Sequence, residues 1–301
     1  GGCMSKFEAK YLASRSSELA AGLAALRAPG CYPKGLTVAT MGYYRTGSTL
    51  LYNIARLWAV LGAGESLVSG FMCRDPVQMG VGVDGSKTAT CSVVCKDHEW
   101  KEGMANNADV LLMSRRDPYE SVCSRKLMDM WCRLKQEGRA KQAPQAEKDT
   151  YHRKCLREYD VEALEAQNQC KELMRMQARI YQGRREAGGV INYDVLLSDY
   201  HTSPEVQVSE IAKGMGICRE AYEDKALVKL IVTMGTLLHD KPDQDMGVTM
   251  MHDVHTDAQR KAKCSKLREM MRGDAVCREW MDGNAAAESN AILREMEKRR
   301  Q

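Results

Sequence analysis

The sequence predicts an α/β fold: a central parallel sheet flanked by helices, with a helical C-terminal part. Three observations carry that reading. Residues 36–41 form a short apolar run, followed by the turn Gly42 to Gly47 and then by Leu50, Leu51, Ile54, Leu57, Trp58 and Leu61 at helical spacing. Two more apolar runs, 92–95 and 109–113, lead directly into the polar groups Lys96-Asp97-His98 and Arg115-Arg116-Asp117-Pro118. Buried parallel strands that emit polar residues at their carboxyl ends are how open α/β sheets build a ligand edge.

The remaining elements follow in order. Residues 5–28 carry Leu12, Leu19, Leu23 and Leu26 at helical spacing and stop at Pro29-Gly30, a helix expected to pack on the sheet edge. After Gly62-Ala63-Gly64, residues 67–72 read as a second strand, and Gly80 to Gly85 as a loop, either plain surface or a substrate gate. A helix over 119–135, a charged excursion over 136–149 and a long helical stretch to about Arg185 precede the break at Gly188-Gly189. Residues 190–193 give a further short strand. From Pro204 the pattern is helical, interrupted by a polar loop from His239 to Thr256. The expected division is an N-terminal helix over 1–35, an α/β domain over 36–240, and a lid loop with C-terminal helices of the same domain over 241–301.

Composition narrows the function. A chain of 301 residues can bury a large core, and 44 basic against 40 acidic residues leave a net charge of +4. Without a polybasic run, and with 6% aromatic residues, it does not have the footprint of a nucleic-acid binder. No apolar segment approaches the roughly 18–20 residues of a membrane span, and the first residues lack a basic-then-apolar signal pattern. The expectation is a soluble, cytoplasmic protein. Twelve cysteines, scattered from Cys3 to Cys277 without a CxxC, read as free thiols of a reducing compartment. The opening Gly1-Gly2-Cys3-Met4 leaves the native start undecided.

The turn after the first strand is a phosphate cradle. A helix N-terminus presents unpaired N–H groups and the positive end of the macrodipole, Gly47 admits close approach, and Ser48 and Thr49 add hydroxyls. Gly42-x4-Gly47-Ser48-Thr49 has the spacing of a P-loop in which Ser48 stands where the lysine belongs; the cation is instead Arg45. Because that lysine reaches the β/γ-phosphates of a nucleoside triphosphate, its absence argues for another phosphorylated ligand.

Arg45-Thr46-Gly47-Ser48-Thr49-Leu50-Leu51 resembles the 5′-phosphosulfate loop of the sulfotransferases, which use 3′-phosphoadenosine 5′-phosphosulfate (PAPS) and release 3′,5′-ADP (PAP). Arg116, followed by Asp117-Pro118, and Ser124 eight positions on resemble the arginine and serine that hold the 3′-phosphate in that family. Arg115 is a rival for the first role. Lys96-Asp97-His98 resembles the Lys-x-His of cytosolic members, which implies His98 as general base and Lys96 as the cation at the transferring group. Tyr193, in a segment similar to the family's Tyr-Glu-Asp-Leu, lines the adenine site or belongs to the core. The resemblance therefore implies a P-loop-like sulfotransferase fold. It assigns catalysis to His98, Lys96 and Arg45, and cofactor binding to Arg45, Thr46, Gly47, Ser48, Thr49, Arg116, Ser124 and Tyr193.

Departures from the family pattern keep alternatives open. The C-terminal Arg-Lys-Gly loop is missing, and the 239–256 loop is its candidate substitute. His252 and His255, beside Asp253 and Asp257, lack a third ligand at helical spacing, so no metal is expected. The acceptor is expected to be a small molecule or carbohydrate bearing a hydroxyl or amine, chosen by the loops; oligomeric state is open. A P-loop small-molecule kinase and a non-catalytic nucleotide-binding relative are the competing readings.

Overall fold

Five short runs form the sheet of the computed structural model: β1 (Thr37–Met41), β2 (Leu67–Phe71), β3 (Ser92–Asp97), β4 (Val110–Arg115) and β5 (Tyr193–Leu196). The structure describes residues 14–42, 46–63, 67–71, 92–98, 108–116, 120–121, scattered positions between 144 and 175, 193–240, 257–279 and 282. All the strand pairs are parallel, in the order β2-β3-β1-β4-β5. Every carboxyl end therefore lies along one edge. The connection leaving β1 runs to β2 on one side, and the connection leaving β4 runs to β5 on the other, so these two neighbours bracket the topological switch point, where open α/β sheets bind ligands. β1, β3 and β4 are buried at every residue, as parallel strands covered on both faces are.

Helix α2 (Ser48–Ala63) is the centre of the unit, with α1 (Ser16–Arg27), α3 (Leu197–Thr202), α4 (Pro204–Gly214), α5 (Arg219–Tyr222) and α6 (Lys225–Asp240) around it. α2 packs on β1, β3 and β4 with one side and on α1, α4 and α6 with the other. The six apolar positions noted in the sequence are all buried, but so are Tyr52, Asn53, Ala55, Arg56, Ala59 and Val60. A helix sandwiched between a sheet and a second helical layer has no solvent face. The Trp58 indole N–H donates to the Val208 carbonyl of α4 at 3.2 Å, satisfying the one polar atom of the largest core side chain.

The structure corrects the sequence expectation at several points. α1 packs against α2, α5 and α6 rather than on the sheet edge. Lys96 and Asp97, read as following the third strand, lie inside it. The last strand, expected over 190–193, continues through Leu196, and positions 190–192 lie outside the described residues. The free-thiol reading fails for six of the twelve cysteines: Cys31 pairs with Cys218, Cys170 with Cys277, and Cys95 and Cys264 are disulfide-bonded as well. Separations of 187 and 107 residues bring these partners together through the fold, which no sequence interval announces.

Packing divides the chain into two compact units, Gly1–Arg116 with Ala178–Met250, and Asp117–Gln177 with Met251–Gln301. The second contains α7 (Asp257–Arg272) and α8 (Ala275–Glu279). There Asp274 caps α8 by accepting the Cys277 N–H at 3.0 Å and pairs with Lys171 at 2.9 Å. Those contacts, the Cys277 N–H first, hold its carboxyl below the usual aspartate range. Among the described residues no helix is long and apolar enough to cross a membrane.

Candidate functional site

Strand pleating decides which residues meet at the carboxyl edge. Leu36 and Val38 before and in β1, Val94 in β3, Val110 and Leu112 in β4, and Tyr193 and Val195 in β5 all join the core that contains α2. Side chains alternate along a strand, so the next positions of the same stripe are Thr40 and Gly42, Lys96 and His98, and Ser114 followed by Arg116. With strands about 4.8 Å apart, the ends of β3, β1 and β4 span roughly 10 Å in front of the first turn of α2.

The turn itself is built for close approach. Gly47 has φ +86°, and the Leu51 N–H donates to its carbonyl at 3.0 Å, so the N–H groups of Ser48, Thr49 and Leu50 have no intrahelical acceptor. A Cβ on Gly42 would lie 2.3 Å from Ser114 Oγ and 2.6 Å from Thr46 Oγ1. Those two hydroxyls hydrogen-bond to each other at 3.0 Å, tying the turn to β4. Gly47→Ala is expected to cost about 1 kcal/mol, because an alanine resists that backbone region and its Cβ would sit 2.7 Å from Leu197 Cδ1. Urea unfolding of the variant measures the loss.

Lys96 of β3 and His98, the first residue beyond it, reach the turn. The Lys96 ammonium donates to Thr49 Oγ1 at 2.7 Å, from a residue only 6% exposed. A cation is therefore supplied in space to the P-loop-like turn whose sequence lacks the lysine. His98 follows directly, half-buried, with Nδ1 2.7 Å from the Gly42 carbonyl and its backbone N–H on Asp97 Oδ1 at 2.7 Å. A carbonyl oxygen only accepts, so Nδ1 carries the proton in this contact and the basic lone pair of the neutral ring is on Nε2.

Arg115 and Arg116 separate by the same pleat. Arg115 lies on the sheet face away from α2, its Nε 2.6 Å from Asp194 Oδ2, both side chains nearly inaccessible. Arg116, half-buried, is the first residue beyond β4 and stands at the carboxyl edge. Tyr193 is not gathered with the others: it opens β5, is buried in the core, and its hydroxyl bonds to Gln207 of α4. Thr46, Gly47, Ser48, Thr49, Lys96, His98 and Arg116 are the predicted residues that the sheet brings to one edge. Arg45 and Ser124, the Gly80 to Gly85 and 136–149 loops (of the latter only Pro144 and Glu147 are described), and His252 and His255 lie outside the described residues. So does the expected lid from 241 onward, while His239 and Asp240 belong to α6.

Ser114, the Gly42 carbonyl and the Arg115–Asp194 pair were not singled out by the sequence. Only the alternation of β4, with Ser114 two positions before Arg116, carried a signal for the first of them. A small apolar cavity lies beneath the turn, lined by Leu50, Leu51, Ile54, Val195, Leu197 and Tyr200 among others. Burial pushes the Tyr200 phenol above its ordinary pKa, a rise partly offset by the Thr236 hydroxyl. No family model, curated protein or solved structure matches this chain.

Proposed function

We propose that the chain is a sulfotransferase that moves a sulfuryl group from PAPS to a hydroxyl or amine of a small-molecule or carbohydrate acceptor. The observation that supports this reading best is the Lys96–Thr49 contact. In a P-loop NTPase the hydroxyl at the position of Thr49 holds Mg²⁺; here the Lys96 ammonium donates to that oxygen at 2.7 Å. A fixed cation beside the N–H groups of the turn supports binding of a polyanion there. That arrangement suits a phosphosulfate and disfavours the kinase reading, which requires Mg·ATP at the same hydroxyl.

In the proposed reaction the acceptor oxygen or nitrogen attacks sulfur, the S–O bond to the adenosine phosphate breaks, and 3′,5′-ADP leaves. His98 Nε2 takes the acceptor's proton. The N–H groups of the α2 first turn and Arg45 stabilise charge building on the leaving phosphate, and Lys96 steadies the sulfuryl oxygens. Arg116 grips the 3′-phosphate with a forked, charge-assisted contact.

The test is transfer of label from PAPS, carrying the label in its sulfuryl group, to a panel of phenols, alcohols, amines and sugars in the presence of EDTA. Labelled product supports the reading; γ-phosphoryl transfer from Mg·ATP to the same panel replaces it with the kinase. Arg116→Ala is expected to weaken 3′,5′-ADP about ten- to a hundredfold and 5′-AMP hardly at all. Calorimetry showing equal losses for the two nucleotides would remove Arg116 from the 3′-phosphate.

A further inference from the structure

The loop between α1 and β1 carries Cys31, and the turn between α4 and α5 carries Cys218; their disulfide holds the Cα atoms 4.6 Å apart. The Cys218 N–H also donates to the Cys31 carbonyl at 3.0 Å. Across a sequence separation of 187 residues, this bond closes a covalent loop that contains all five strands of the sheet and α2. Cys31 is buried, 4% exposed, and Cys218 is half-buried, so the bond belongs to the packed interior.

The segment it anchors grips the far end of the cradle helix. The Arg27 Nε donates to the Leu61 carbonyl in the last turn of α2 at 3.1 Å, where a cation also suits the negative end of the macrodipole. The Tyr32 ring lies on Gly62 so closely that a Cβ there would be 2.5 Å from it. Burial pushes the Tyr32 phenol up to about 12, so the ring stays neutral in the core. Arg27 and Tyr32 flank Cys31, and Cys218 holds that segment against the end of α4. The other end of the same rigid helix, about 24 Å away for its 16 residues, is the anion site.

We infer that Cys31–Cys218 is an oxidised clamp on α2, which makes the anion site a property of the oxidised chain and directs the protein to an oxidising compartment. This replaces the cytoplasmic, free-thiol expectation. Reduction by a dithiol transfers two electrons and two protons to the bond, leaves thiols at Cys31 and Cys218, and converts the dithiol to its own disulfide. The Arg27–Tyr32 grip then loses its covalent anchor, and the large covalent loop opens in the unfolded chain. The clamp stands independently of the sulfotransferase reading; its effect on nucleotide affinity rests on that reading.

The first test is non-reducing peptide mapping of the full chain, expressed in an oxidising compartment and alkylated at once. A peptide pair joined through Cys31 and Cys218 is expected; recovery of both as alkylated thiols would overturn the inference. The second compares the oxidised wild type with the Cys31→Ala/Cys218→Ala variant. The variant's Tm is expected to fall by about 5–15 °C, and its 3′,5′-ADP affinity by about three- to tenfold. Dithiothreitol should lower the wild-type Tm more than that of the variant, whose remaining disulfides are unchanged. Equal Tm values and equal responses would overturn the clamp, and a lowered Tm with unchanged affinity would overturn its coupling to the site. Should the wild type bind no 3′,5′-ADP, the nucleotide reading fails while mapping and Tm still decide the clamp.

Discussion

In a Lys96→Met variant the proposed sulfuryl transfer is expected to fall by about two to three orders of magnitude while folding stability is kept or raised. The two effects separate because Lys96 is a buried ammonium in a strand: removing the charge removes a desolvation cost, and methionine fills nearly the same volume. Its contribution lies at the turn, where the donated contact to Thr49 fixes a positive charge beside the N–H groups of α2. In the proposed reaction a cation already held there needs no reorganisation as charge moves to the leaving phosphate. Steady-state kinetics and urea unfolding of the same preparation check both halves. Loss of stability in proportion to loss of turnover would make Lys96 a structural residue instead.

Asp194→Ala is expected to destabilise the α/β unit by about 3–5 kcal/mol, because it removes a buried carboxylate 2.6 Å from the buried Arg115 Nε. The pair sits 2.6 Å apart with side-chain exposures of 9% and 0%, so solvent cannot take the carboxylate's place. It also joins β4 to β5 immediately before Arg116. The double variant Arg115→Met/Asp194→Leu is expected to recover most of the loss, since an apolar pair of similar volume removes both desolvation costs. Urea unfolding of Arg115→Met, Asp194→Leu and the double variant closes the cycle; additive losses would mean that the charges do not interact.

Much of the sheet was legible because its strands are short apolar runs ending in charged groups. β3 and β4 declare themselves this way, β1 through the glycine turn that follows it, and α2 through its helical spacing. Strand order was not legible: the connections do not state that β3 returns beside β1 and that β4 takes its other side. That order is what brings Lys96 and His98 to the turn. The sequence offered Arg45 as the cation of the turn and Lys96 as the cation at the transferring group; that Lys96 donates to Thr49, 47 positions away, follows only from the strand order. The β5 boundary was misjudged for a similar reason. Asp194 is a poor strand residue by propensity, and Arg115 on the next strand is what accommodates it. The cysteines were misread because the rule applied to them looks for close intervals, while the fold joins Cys31 to Cys218 across the whole sheet.

The measurement that bears most directly on the account is a calorimetric titration of the oxidised chain with 3′,5′-ADP in EDTA, beside 5′-AMP, ADP and, in a separate run with magnesium, Mg·ATP. The account predicts metal-independent binding of 3′,5′-ADP that exceeds every other nucleotide in the series. Preference for Mg·ATP, or no binding of any of them, would contradict it.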